Sequence, residues 1–294
     1  MNKILSFTVI LLITSAAIAQ DELFIDNKKF FKGMDQVNLA EFTVSFTTSE
    51  AKSASTQSRT NFSGAKSALK VETNGLTKEL IQRITDEAYA DFISKLEAKG
   101  IKVGRYVVED KVNKNMLRYI KRTENFAENV DHYQAYSAIS TITASPDGQP
   151  FISYKNQFQV GLAAKQSGGK PINVNYIINS GYIQANANTT KNNFMNEVYT
   201  KTKVAFLPGI QVWWRSGIEG WEKHNKKAEL KINKHIYVET GAPGDLITKN
   251  KIDLGRYGRA TLEIRVDPDK YYTDAMNVLK QANTKLVNAL DDAR

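Results

Sequence analysis

From Leu76 to Lys99 the apolar positions recur every three or four residues. At 100° per residue Leu80, Ile81, Ile84, Ala88, Phe92 and Leu96 share one side, with Tyr89 and Ile93 on its margin. Glu79, Arg83, Asp86, Glu87 and Glu97 fall mainly opposite. The spacing predicts one helix, opened by Asn74-Gly75 and Thr77 and closed by Gly100, a residue that tolerates the left-handed conformation past a helix end. About 24 residues at ~1.5 Å each make a rod of roughly 36 Å. Ile101, Val103, Tyr106, Val107 and Val108 then read as a buried strand, so Leu76 to Glu109 is a helix, a glycine stop and a strand. A helix striped on one side needs a sheet or further helices over that stripe. This unit builds core and carries no chemistry.

Period-two patterns surround it. In Val37 to Thr48, Val37, Leu39, Glu41, Thr43 and Ser45 alternate with Asn38, Ala40, Phe42, Val44 and Phe46, a strand with one apolar face. Asp21 to Gly33 is a charged leader with three Phe, a short helix or an arm over the body. Ser49 to Lys70 is rich in Ser, Thr, Ala and Lys, a mobile loop or a polar hairpin ending in Ala65 to Val71, and is read as a mobile insert. Lys111 to Asn129 has a weaker helical stripe through Val112, Met116 and Thr123. Ser145-Pro146-Asp147-Gly148 is a turn, and Phe151 to Ala164 has no clear type.

The second half is strand-rich. Ile172 to Asn186 reads as a central strand of β-branched and aromatic residues. Glu197 to Phe206 and Gly209 to Arg215 flank Pro208-Gly209. In Leu230 to Glu239, Ile232, Ile236 and Val238 turn inward, and Lys231, Asn233, His235 and Tyr237 outward. Gly241 to Asp245 is a turn into a short helical piece, and Tyr257 to Val266 is a further strand. Asp267-Pro268 opens a closing helix whose Tyr272, Met276, Leu279, Asn283, Leu286 and Leu290 form a stripe. The prediction is an α+β fold: a mixed sheet with a strand–helix–strand N-terminal half, a β-meander-like C-terminal half and a closing helix. It is organised as an arm over 20–36 and a single domain over 37–294.

The first residues change the picture of where this domain works. Lys3, the apolar run Ile4 to Ala16 and the small-x-small site Ala17-Ile18-Ala19 predict a signal peptide over 1–19. The mature chain is then expected in the periplasm or outside the cell, free or peripheral to the outer membrane, with no transmembrane segment. There is no Cys, so stability rests on an ordinary core, and a lipid anchor on a Cys is excluded. With 40 Lys and Arg against 31 Asp and Glu, the formal charge of +9 becomes +8 once Lys3 leaves. For an exported chain that charge points to an envelope protein or an anionic glycan or lipid surface, and not to nucleic acid.

Chemistry-bearing patterns are sparse. His132, His224 and His235 stand apart without metal-ligand spacing, and His235 falls on the polar side of its strand as an exposed imidazole. No Gly-x-Ser-x-Gly elbow and no phosphate loop occurs. Gly255-Arg256-Tyr257-Gly258-Arg259 precedes a strand, so it reads as a hairpin turn. No metal or cofactor is implied. All three Trp fall between Trp213 and Trp221, next to cations. Trp213, Trp214, Arg215, Trp221, Lys223, Lys226 and Lys227 form the candidate binding site, because aromatic surface beside positive charge suits a partner hot spot, a sugar platform or a membrane-interface belt. On a strand Trp213 and Trp214 would face opposite ways, so at most one enters the core.

Ala40-Glu41-Phe42-Thr43-Val44 in the first strand, with Ala90-Asp91-Phe92-Ile93 through Lys99-Gly100-Ile101-Lys102-Val103, resembles the periplasmic α/β domain of the curli-secretion channel family. The resemblance covers about a third of the chain and implies the fold. Members of that family are lipid-anchored through a Cys and form a pore from two amphipathic hairpins. This chain lacks the Cys and shows no such pair, so no functional residue is carried over.

The sequence therefore points to an exported, non-catalytic envelope protein acting by binding or assembly. One alternative is an extracytoplasmic polysaccharide-acting hydrolase using carboxylates such as Glu219, Glu222 or Asp245, which needs two carboxyls about 5–9 Å apart. Another is a structural subunit of a homo-oligomer.

Overall fold

The alternation in Val37 to Thr48 founds the central strand, with one slip of phase. The computed structural model describes residues 22–55, 66–105, 120–121, 126–134, 137–149, 151–152, 170–192, 197–223, 226–238, 240–253 and 257–294. Strand β2 (Gln36–Ser55) runs parallel beside β9 (Lys170–Asn192), and their register shifts between Leu39 and Glu41. A bulge adds one residue and so returns the strand to the opposite phase. Val37 and Leu39 before it and Phe42, Val44 and Phe46 after it therefore lie in one core, and simple alternation had assigned them to opposite faces.

The described strands form a thirteen-stranded mixed sheet, in the order β1, β12, β11, β9, β2, β3, β15, β14. Here β1 is Leu23–Asp26, β3 Lys66–Asn74, β11 Gly217–Lys223, β12 Lys226–Ile232, β14 Gly244–Asp253 and β15 Tyr257–Val266. The remaining members are β4 (Lys102–Arg105) and β7 (Ser137–Ala144) on β2, β6 (Phe126–Gln134) on β7, β10 (Glu197–Val212) on β9 and β13 (Ile236–Tyr237) on β10. Strands β5 (Ile120–Lys121) and β8 (Phe151–Ile152) pair separately. Two described helices, α1 (Lys78–Ala98) and α2 (Pro268–Ala293), bury their stripes with one face of the sheet.

The helix boundaries follow their capping residues. Thr77 accepts a hydrogen bond from the Leu80 amide through its side chain, and Gly100 sits at φ 73°. Asp267 Oδ1 accepts from the amides of Asp269 and Lys270 at 3.0 Å, just ahead of Pro268. Phe42 joins the sheet to α1 through the rings of Tyr89, Phe92 and Tyr176, at 5.4, 5.9 and 5.7 Å. Asn283, fully buried on the apolar stripe of α2, accepts from Tyr176 Oη at 2.6 Å. It donates to the Ala88 carbonyl at 2.9 Å and to Asp91 Oδ2 at 2.8 Å. One amide thus ties both helices to β9.

Several expectations are corrected. Residues 49–55 and 66–70, read as part of a mobile insert, are arms of the antiparallel β2–β3 pair, with 56–65 outside the described residues. Both arms alternate polar and small residues, so neither carries a run apolar enough to announce a strand. In Lys111 to Asn129, read as helical, 120–121 and 126–129 are strand and the remainder lies outside the described residues. Gly241 to Asp245 leads into β14 and not into a helix. The arm is built into the fold: β1 pairs with β12, and Phe30 and Phe31 are buried in the main core. Strand β10 runs through Pro208 with an irregularity in its pairing, where two strands were expected.

Candidate functional site

The turn from β10 to β11 places the first three residues of the predicted site. Trp213 donates its amide to the Ile177 carbonyl at 2.8 Å, and the Ser216 amide closes the turn onto the Trp213 carbonyl at 3.0 Å. Buried Ser216 accepts from the Ile177 amide at 2.9 Å through Oγ and holds the turn against β9. Gly217 must follow, because a Cβ there would stand 2.2 Å from the Leu230 carbonyl oxygen.

Trp213 is buried with Ile139 and Ile177, and Trp214 packs partly buried against the same cluster. Their rings meet edge to face at 6.3 Å. The expected opposition of neighbours does not arise, because the pair occupies a turn. Exposed Arg215 lays its guanidinium 4.4 Å from the Trp214 ring centre, a cation–π contact. The arrangement is an anchored indole with a planar cation on the surface, able to meet a carboxylate, phosphate or aromatic group of a partner.

The other predicted residues separate from it. Trp221 and Lys223 hold positions on β11, and Lys226 on β12; their side chains lie outside the described residues, as do His224 and the side chains of Glu222 and His132. Lys227 is committed elsewhere, with Nζ 2.7 Å from both Glu219 Oε1 and Glu229 Oε1. Lys231 Nζ stands 3.1 and 3.0 Å from the same two oxygens. This quartet lies on the sheet face opposite the helices. The signal for it was the alternation of Lys227, Glu229 and Lys231 on one side of β12, which becomes a site only when β11 brings Glu219 alongside.

Glu219 and Glu229 are a close carboxylate pair, so they bear on the hydrolase alternative. Burial pushes the Glu229 carboxyl up, but hydrogen bonds from Lys227 and Lys231 outweigh it and hold the group below the usual carboxylate range. A glycosidase acid needs the reverse, a carboxyl kept protonated near neutral pH. Asp245 is exposed on β14 at the far end of the sheet order.

His235, expected as an exposed imidazole, is partly buried. Its ring lies 5.3 Å from that of Tyr182, and its Nδ1 is buried without a hydrogen-bond partner. Burial, then the charge of Lys52, brings its pKa down to about 4. Lys52 Nζ sits 4.4 Å from the Tyr182 ring centre, 3.2 Å from Glu50 Oε1 and 3.0 Å from the Ile183 carbonyl. The cluster pins β9 where it crosses β2.

Among the described residues no group of three or more His, Cys, Asp or Glu gathers as metal ligands would, and no helix is long and apolar enough to cross a membrane. No protein-family model matches the chain, and neither the curated proteins nor the solved structures contain a match.

Proposed function

We propose that this is an exported, non-catalytic protein of the bacterial envelope that acts by binding or assembly, with the Trp214–Arg215 turn as its contact surface. The carrying observation is Arg215 stacked on a partly buried Trp214 that rests on buried Trp213. Aromatic–arginine pairs on a rigid base are the residue types that dominate binding hot spots. The leader-like Lys3 to Ala19 and the basic balance of the chain support an extracytoplasmic place and an acidic partner, either an envelope protein or an anionic glycan or lipid surface.

Cell fractionation followed by a high-salt wash of the membranes tests this reading. The expected result is a processed chain beginning at Gln20, outside the cytoplasm, either free or released from membranes by salt. Trp214→Ala with Arg215→Ala should shift it from the bound to the free fraction. A full-length chain confined to the cytoplasm, or an unchanged distribution of the double variant, would overturn the proposal.

A further inference from the structure

The strand order of the sheet ends on β1 at one side and on β14 at the other. Strand β1 has four residues, the kind of short edge that discourages pairing. Strand β14 has ten and pairs, among the described strands, only with β15. One bond fixes which of its backbone groups point away. The Asp267 amide donates to the Pro243 carbonyl at 3.0 Å, one step beyond the Gly244 and Val266 pair. Hydrogen-bonded and non-bonded pairs alternate in an antiparallel ladder. Asp245 and Ile247 therefore turn their amides and carbonyls to β15, and Leu246 and Thr248 turn theirs outward.

The side chains at this edge are open. From Asp245 to Ile252 every residue except half-buried Ile247 is exposed, Leu246 at 44% and Ile252 at 45%. The extra residue between Thr248 and Asn250 reverses the phase of the strand. Leu246 then shares one face with Lys251, and Ile252 lies on the other beside exposed Arg259. Each face thus offers an apolar contact and a cation. Lys249 is matched by Glu72 and Glu263 at 3.3 and 3.1 Å, whereas Lys251 and Arg259 have no ion pair among the described residues. Between Lys249 and Arg259 the sequence sets Lys249, Lys251, Arg256 and Arg259 against Asp253 alone.

We propose that β14 is a docking edge for an extended acidic segment of a partner protein, which adds one strand to the sheet. Main-chain bonds to Leu246 and Thr248 supply the affinity. Carboxylates beside Lys251 and Arg259, with apolar side chains over Leu246 and Ile252, supply the selection. A second copy of β14 would repeat the excess of positive charge, and an acidic segment offsets it. The inference rests on the acidic partner proposed above, narrows it to a protein and gives it a second contact.

Titration of the mature chain with two end-blocked peptides tests this, one repeating Val-Val-Glu-Glu and one repeating Val-Val-Lys-Lys. The acidic peptide should bind about tenfold tighter than the basic one and slow hydrogen exchange at the Leu246 and Thr248 amides. Thr248→Pro removes an outward N–H without changing charge. It should weaken the acidic peptide about tenfold, the worth of one hydrogen bond, while Asp245 and Ile247 keep their protection. Lys251→Glu should weaken the same peptide as well. Trp214→Ala with Arg215→Ala should leave peptide binding unchanged, so this edge and the tryptophan turn fail separately. Equal binding of the two peptides, unslowed exchange at Leu246 and Thr248, or full binding by Thr248→Pro would each overturn the proposal. So would a dimer in sedimentation, without peptide, that already protects those two amides.

Discussion

The Asn283 amide allows a quantitative test of how the two helices are held. Asn283→Leu keeps the number of side-chain heavy atoms and their branching and removes three hydrogen bonds, from Tyr176 Oη at 2.6 Å and to Ala88 O and Asp91 Oδ2 at 2.9 and 2.8 Å. Ala88 retains its place in the helix ladder, and Asp91 retains Lys95, so those two losses are modest, about 0.5–1.5 kcal/mol each. Tyr176 is fully buried and is left without an acceptor, which adds about 1–3 kcal/mol. Burial and then the charge of Asp91 push the Tyr176 phenol well above its ordinary value, so it stays a donor across the accessible pH range. The expected loss for Asn283→Leu is therefore about 3–5 kcal/mol, and for Tyr176→Phe about 2 kcal/mol. Each single change orphans the same bond from one side, so the double variant should fall short of the sum by about 1–2 kcal/mol. Urea unfolding followed by tryptophan fluorescence measures this from the midpoints at constant m. Additivity within about 0.5 kcal/mol would show that the tyrosine–amide bond is not the link between sheet and helices.

The His235 imidazole makes stability depend on acid. Its folded value of about 4 lies below the ordinary 6.5, so the unfolded chain takes up the proton first. Stability from this site is level above pH 6.5, falls as pH drops toward about 4 and is level again below it. The gap is worth about 3 kcal/mol in full and about 2 kcal/mol after allowance for solvent contact. Denaturation midpoints between pH 7 and 4 should slope less in His235→Gln than in the native chain; equal slopes would refute the assignment. Glu50 works with the opposite sign, since burial raises its carboxyl despite Lys52, so His235→Gln and Glu50→Gln should change the slope in opposite directions. The two tryptophans should also separate by assay. Trp213→Ala should lower stability by about 3–5 kcal/mol as a core truncation, and Trp214→Ala by about 1 kcal/mol, its packing being partial and its cation–π contact exposed. Thermal melts of the two variants check this.

Much of the α+β architecture was legible because its elements carry local signals. The stripes of α1 and α2 and the Asp267-Pro268 start are encoded within a few residues of where they act. The phase of β2 was not, since the bulge beyond Leu39 is a property of its pairing with β9. The β2–β3 arms lose out to a mobile loop in the sequence reading because Lys52, Ser53 and Ala54 are held by partners across the pair and not by an apolar run of their own. The same limit applies to the site. Trp213, Trp214 and Arg215 are adjacent in sequence and could be singled out, and the structure divides them into anchor, platform and cation. Glu219 joins Lys227, Glu229 and Lys231 only through the β11–β12 register, so no spacing along the chain announces the quartet.

The parallel pairing of β3 with β15 bears on when this chain acquires its structure. Val71 lies beside Leu262, and the Gly33 amide donates to the carbonyl of Arg294 at 3.1 Å. Strand β3 has β2 on one side, but its other edge waits for a partner almost two hundred residues downstream, and the core under α2 closes only once that helix is present. Ring closures of that length are entropically slow, and contacts so distant in sequence delay the folding transition. The closed core waits until residues 257–294 have been made. Under the export proposed above, the late arrival of β15 and α2 acts as a timer on folding.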